Sequence, residues 1–173
     1  IQAALTGHLV FSTVHANQAS GAIPRLVDLG VKVNSIGPAL NLIIAQRLVK
    51  RLCKECKVAV KPEKELLDNF KKFLKSLPER VDKASYEKIS MFKPKGCPVC
   101  RNSGYRGRVG VYELLRVSKE MEALMNKGAG EIEIQEFALK QGIVTMQQDG
   151  ILKVVSGLAT FEELEKVTGA IEW

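Results

Sequence analysis

Two cysteine pairs carry the strongest chemical signal in the sequence. Cys53-Lys-Glu-Cys56 and Cys97-Pro-Val-Cys100 each set two thiols three positions apart, the spacing at which one tight turn presents both sulfurs to a single tetrahedral ion. With 4 cysteines in the chain and no fifth ligand nearby, Cys53, Cys56, Cys97 and Cys100 predict a closed structural zinc site. Lys54, Lys57, Lys95 and Arg101 flank the sulfurs and are expected to help hold them as thiolates. Two redox pairs or two disulfides would use the same spacing, but nothing in the sequence looks secreted.

The 2 histidines, His8 and His15, bound the run Leu9-Val10-Phe11-Ser12-Thr13-Val14. This short, nearly continuous apolar stretch predicts a strand buried on both faces of a parallel sheet. Ligands of open α/β sheets bind outside the carboxyl ends of such strands, which is where His15 stands, followed by Asn17, Gln18 and Ser20. The odd separation of the histidines would point them to opposite faces, so they do not jointly chelate an ion. His15 is placed either to donate to an anion or to cap its loop.

The elements that must position these groups follow in chain order. Residues 1–7 read as a helix end stopped by Gly7, and residues 19–29 as a short helix holding Pro24 and Arg25, with Gly30 at its C-cap. Residues 33–52 predict one long helix whose last turn carries Arg47, Lys50 and Arg51 and delivers the chain to Cys53. Between the cysteine pairs, Leu66, Leu67, Phe70, Phe73, Leu74 and Leu77 fall at helical spacing and predict a small core over the metal. A second, weaker helix is expected at 85–91. Residues 106–117 alternate as a strand, with Val109 and Val111 on one face and Tyr112 and Leu114 on the other. The tail predicts about four helices, with capping boxes at Thr145/Gln148 and Thr160/Glu163 and stops at Gly142, Gly157 and Gly169.

Composition bounds the class. With 173 residues, 46% of them apolar, the chain is globular rather than disordered. No apolar run approaches the length that spans a bilayer, which predicts a soluble protein. The chain opens on Ile1-Gln2-Ala3-Ala4-Leu5, as though entering the middle of a larger fold. Of the net charge of +7, residues 50–101 hold 15 Lys and Arg against 7 Asp and Glu, a net of +8, and the remainder is close to neutral. A tetrathiolate zinc site answers about two of those charges; the rest is available to an acidic protein, an anionic membrane face or nucleic acid.

The motifs, taken together, resemble those of the type II secretion and type IV pilus assembly ATPases. Leu5-Thr-Gly-His-Leu-Val-Phe-Ser-Thr-Val-His-Ala-Asn17 looks like that family's histidine box. Gln46-Arg-Leu-Val-Lys-Arg-Leu-Cys53, both cysteine pairs, Gly104-Tyr-Arg-Gly-Arg-Val-Gly-Val-Tyr-Glu113 and Met146-Gln-Gln-Asp-Gly-Ile-Leu-Lys153 resemble its later signatures, in the family's order. The resemblance implies an α/β fold. Residues 1–52 would be the C-terminal part of a RecA-like P-loop ATPase core, 53–100 a tetracysteine zinc insert, 101–117 a return strand of the core, and 118–173 an all-helical module. It implies a cytoplasmic hexamer, peripheral at the inner membrane, that couples hydrolysis of ATP with Mg²⁺ to secretion or pilus assembly through platform proteins. His15 corresponds to the histidine near the γ-phosphate and His8 to the other member of the box. Arg25 and Arg108 match positions expected at subunit contacts, where a guanidinium can stabilise a transferring phosphoryl group; on physical grounds alone they are equally ordinary surface arginines. No Gly-x-x-x-x-Gly-Lys-Ser/Thr loop occurs, so residues 1–173 are expected to hydrolyse no ATP alone.

Two other classes compete. A basic zinc module gripping nucleic acid phosphates would explain the charge and the cysteines, but it leaves the apolar run and its histidine unused and lacks clustered aromatics for base stacking. A protein-interaction domain would account for the insert and the tail.

Overall fold

The computed structural model describes residues 1–86 and 89–173. In chain order the elements are α1 (Gln2–Leu5), α2 (Ala22–Asp28), α3 (Val33–Ala39), β1 (Leu42–Leu52), β2 (Val58–Val60), α4 (Lys64–Ser76), β3 (Met91–Lys93), β4 (Tyr105–Arg116), α5 (Lys119–Asn126), α6 (Glu131–Lys140), α7 (Met146–Val155) and α8 (Phe161–Thr168). Short 3₁₀ turns cover Lys83–Tyr86 and Pro98–Cys100. The strands form two-stranded sheets, β1 with β4 and β2 with β3. Hydrogen bonds from the Val117 N–H to the Asn41 carbonyl and from the Cys53 N–H to the Gly104 carbonyl bracket β1 and β4, so these strands run antiparallel. The fold is mixed α/β, as expected.

The chain divides into two compact units, residues 1–45 with 113–143 and residues 46–112 with 144–173. The C-terminal helices are shared, with α5 and α6 in the first unit and α7 and α8 in the second. The first unit closes over Ala19, Ile23, Ile36, Leu115, Met121, Met125, Ile134 and Ala138. Within it α3 packs on α5 at Gly37, where an added Cβ would lie 2.4 Å from Glu122 Cγ. In the second unit β2 and β3 pair antiparallel with Ala59 opposite Phe92. α4 buries Phe70 and Phe73, and the Phe73 ring meets Trp173 edge-on at 6.4 Å, so the apolar stripe of this helix packs against the C-terminus of the chain.

Three sequence expectations are overturned. Residues 9–14 form no strand, and Leu9 and Phe11 are 82% and 88% exposed. A parallel strand exists only through partners that take up its N–H and carbonyl groups, and among the described residues none pairs with this run. The long helix expected at 33–52 breaks after α3. Pro38 lacks an N–H, the chain turns extended at Leu40, and residues 42–52 become a strand. Along that strand Ile43, Ala45, Arg47 and Val49 turn inward and Leu42, Ile44, Gln46 and Leu48 outward, a period of two set by pairing with β4. The basic residues Arg47, Lys50 and Arg51 therefore complement no helix dipole. Of the weak helix expected at 85–91, Met91 belongs to β3, the turn Lys83–Tyr86 covers its start, and Glu87 and Lys88 lie outside the described residues.

Other expectations hold. β4 turns Val109 and Val111 inward and leaves Tyr112 and Leu114 exposed. Thr145 accepts from the Gln148 N–H while the Gln148 side chain accepts from the Thr145 N–H, completing one capping box. At α8, Thr160 accepts from the Glu163 N–H, but the Glu163 carboxylate turns to Lys166 at 2.5 Å and Lys50 at 3.7 Å instead of closing the box.

Burial would raise the Glu163 carboxyl, yet Lys166 and Lys50 hold it below its ordinary value of 4.5. A lowered folded value adds stability that is present above 4.5 and drains away as pH falls through the folded value. Glu163→Gln is expected to cost about 1 kcal/mol at neutral pH, discounted for the exposed lysine ends. In calorimetric melts the deficit should shrink steadily as the pH is brought below the carboxylate range; a constant deficit would contradict the ion-pair account.

Candidate functional site

The four cysteines converge where β1 ends and β4 begins. Cys53 directly follows β1, and its carbonyl accepts from the Cys56 and Lys57 N–H groups in a tight turn. The second pair is built by the turn Pro98–Cys100 together with Arg101 and Asn102, both at positive φ (52° and 60°), so that the Asn102 N–H reaches the Cys97 carbonyl at 2.9 Å. Gly104 joins the halves. Its N–H donates to Cys100 Sγ at 3.2 Å and its carbonyl accepts from the Cys53 N–H at 2.9 Å. It sits at φ +76°, and an added Cβ would fall 2.3 Å from Pro94 Cβ, so glycine is required on both conformational and steric grounds.

All four sulfurs lie within 4.8 Å of one another. Cys53 to Cys97 is 3.9 Å, Cys56 to Cys100 is 3.8 Å and Cys97 to Cys100 is 3.7 Å. A disulfide needs about 2.05 Å, whereas the edge of a tetrahedron with metal–sulfur bonds of ~2.3 Å is about 3.8 Å. The four cysteines are free thiols spaced to hold one metal ion.

Burial pushes the Cys56 thiol up to about 12, reinforced by its hydrogen bonds with neighbouring sulfurs. Burial also raises Cys100, but the N–H groups of Cys97 and Gly104 donate to its sulfur and bring it down to about 6. Cys100 is therefore the thiolate that forms first, and four crowded sulfurs ionise together only with a cation among them. The flanking lysines do less than the sequence implies. Lys57 donates to the Gly157 carbonyl at 2.8 Å and lies over the Phe92 ring, so the thiolate support comes from main-chain N–H groups.

The histidine segment is a different object from the expected strand end. His8 and His15 are both exposed in irregular chain, and His8 Nδ1 lies 3.1 Å from Thr6 Oγ1. The chain re-enters the core four residues after His15, where Ala19 and Ser20 are buried. Glu113, 2% exposed on β4, accepts from the Ala19 N–H at 3.0 Å, and Gln18 Nε2 donates to Glu131 at 3.0 Å. Arg25 is exposed on α2. Arg108 is exposed on β4, in a shallow groove shared with Lys50, Tyr105, Glu163 and Lys166.

Sequence reasoning missed three residues that hold main chain. Glu113 supports the loop after His15, Gly104 joins the cysteine turns, and Asp149 on α7 accepts from the Tyr112 N–H at 2.8 Å. All three lie inside the motif strings; a carboxylate at an inward strand position was the available signal for Glu113.

Residues 1–166 match the family described as Type II/IV secretion system protein. The chain is 39% identical over 163 residues to the type IV pilus assembly ATPase PilB of Thermus thermophilus, covering 94% of this chain and 17% of that protein. It is 38% identical over 168 residues to the type II secretion system ATPase E of Vibrio cholerae, covering 97% and 31%. Similarity to the type II secretion system protein E of Pectobacterium carotovorum is 37% over 174 residues, again 97% and 31%. The chain thus spans a third or less of the length of these relatives. With the motifs in order and the four thiols gathered at one point, the chain belongs to the Type II/IV secretion system protein family.

Proposed function

We propose that this chain is part of an ATPase that turns ATP hydrolysis into the assembly of a pilus or pseudopilus and the secretion of protein. The observation that carries the reading is the match along residues 1–166 to the Type II/IV secretion system protein family, together with similarity to proteins named as secretion and pilus assembly ATPases. In this reading residues 1–52 and 101–117 complete a RecA-like core whose phosphate-binding loop and Mg²⁺ ligands are supplied elsewhere in the full-length protein. The exposed apolar run 9–14 is then a surface that other parts of the full-length protein cover, in keeping with the exposure of Leu9 and Phe11. His15 reaches the γ-phosphate as a donor, with His8 the second member of the box. Arg25 and Arg108 contribute at contacts between subunits of a hexamer. Among the described residues no helix is long and apolar enough to cross a membrane. The motor works from the cytoplasmic side against platform proteins of the inner membrane.

Zinc is the ion we assign to Cys53, Cys56, Cys97 and Cys100: four soft donors, a closed set, and sulfur separations of 3.7–3.9 Å. When bound, it supplies structure rather than catalysis, and the residues around it fix its two turns. The excess positive charge of residues 50–101 serves docking, with Lys71, Lys72 and Lys75 exposed along α4 for an acidic partner or anionic membrane surface.

The first test is phosphate release. In the full-length protein His15→Ala is expected to lower kcat about 100-fold with the hexamer intact, while purified residues 1–173 release none. Retained turnover in the variant, or magnesium-dependent turnover by the 173-residue chain, would count against the reading. For the metal, one equivalent of zinc per chain is expected. Cys97→Ser should lose it, and Gly104→Ala should keep it less well, releasing zinc to a chromogenic chelator about 10-fold faster or more. Zinc retention should also fall as the solution is acidified, because the cysteines hold the ion as thiolates and protons compete for their sulfurs. Reversing Lys71, Lys72 and Lys75 to Glu is expected to weaken recruitment to the platform at least several-fold without changing zinc content; unchanged recruitment would remove α4 from the docking surface.

A further inference from the structure

The segment after His15 is held at two points by carboxylates far away in sequence. Ala19 and Ser20 are 1% and 0% exposed, whereas His15 and Asn17 are exposed. The exposed segment therefore projects from a buried anchor four residues on. At that anchor the Ala19 N–H, which precedes α2 and has no helical acceptor, donates to Glu113 Oε1 at 3.0 Å across 94 positions of sequence. One residue earlier, Gln18 donates to Glu131 at the first turn of α6. Gly21 lies close against the same carboxylate, since an added Cβ there would stand 2.8 Å from Glu131 Oε1.

A carboxylate at an inward position of a strand is costly to bury unless it is partnered, and Val109, Val111 and Leu115 on the same face are apolar. What Glu113 supplies that they cannot is an acceptor for main chain next to the histidine loop. We propose that Glu113 is a positioning residue for the phosphate end of the ATPase site: by holding the Ala19 N–H it fixes the loop that presents His15, with the Gln18–Glu131 hydrogen bond as the secondary tether. The proposal rests on the reading of His15 given above. It assigns Glu113 no contact with nucleotide. Loosening the anchor lets His15 wander from the γ-phosphate, so turnover falls while ATP binding, made elsewhere in the full-length protein, is kept.

The test is a double-mutant cycle in the full-length ATPase, reading kcat and KM for ATP together with hexamer content. Glu113→Leu keeps the volume and removes the acceptor; it should lower kcat about 10- to 100-fold with KM nearly unchanged. Glu113→Gln retains an oxygen for the Ala19 N–H and should stay within about 3-fold of wild type. Combined with His15→Ala, Glu113→Leu should add nothing further, because the loop has then lost what it positions. Losses that multiply in the double variant, or a Gln variant as damaged as the Leu variant, would overturn the proposal. Should Glu113→Leu fail to assemble, Gln18→Leu at the surface tests the same anchor: a fall in kcat of about 3-fold that vanishes in the His15→Ala background supports it, and an unchanged kcat overturns it. If His15→Ala alone leaves turnover intact, the phosphate role of His15 fails and the positioning role falls with it. If only the Glu113 arm fails, His15 keeps its role and the anchor is structural.

Discussion

Four sulfurs within 4.8 Å of one another form the constraint on which the second unit depends. β1 and β4 run antiparallel, and at the end where a hairpin would need a turn of a few residues the chain instead inserts everything from Cys53 to Gly104. Closing so long a loop costs chain entropy, and the Cys53–Gly104 hydrogen bond alone would offset little of it. A metal ion bound by Cys53, Cys56, Cys97 and Cys100 would clip the loop at its base and turn the ribbon end into a rigid corner. Binding free energy at such a site is largely folding free energy, so the corner and the ion stabilise each other.

The same corner explains how the surrounding polar groups are spent. The sequence places cations on both sides of the cysteines, which invites an account in which side-chain charge holds the thiolates. The structure uses main chain: two N–H groups converge on Cys100 Sγ, one of them from a glycine whose conformation no other residue adopts cheaply. Backbone donors are fixed by the turns themselves and lose no rotamer freedom on meeting a sulfur, whereas a lysine would have to be ordered for the purpose. Lys57 and Lys50 are thereby left for other work, against the Gly157 carbonyl and the Glu163 carboxylate.

Much of this was legible in the sequence where a local rule decides the outcome. The cysteine spacing, the Thr145 cap, the stripe of α4 and the alternation along β4 each follow from positions a few residues apart. The rule failed where a distant partner decides. Residues 42–52 contain apolar residues that satisfy a helical period and a strand period alike, and pairing with β4 selects the second. Residues 9–14 read as a core strand from composition, yet the pairing that would make them one does not come from the described residues. Glu113 escaped notice because its contact spans 94 positions, and nothing in a local window shows that a strand carboxylate will meet the N–H of a loop.

Two of the motif strings thereby gain a physical meaning that their chemistry-bearing letters do not suggest. Glu113 ends the string that begins at Gly104, and its carboxylate accepts from Ala19. Asp149 sits within the string that begins at Met146, and its carboxylate accepts from Tyr112 on β4. Each takes up a main-chain N–H from a distant part of the chain. A carboxylate suits this task because it accepts strongly from main chain while its own backbone stays in a strand or helix. In this chain, then, these two acidic letters within the motif strings mark where loop and strand backbone is held in place.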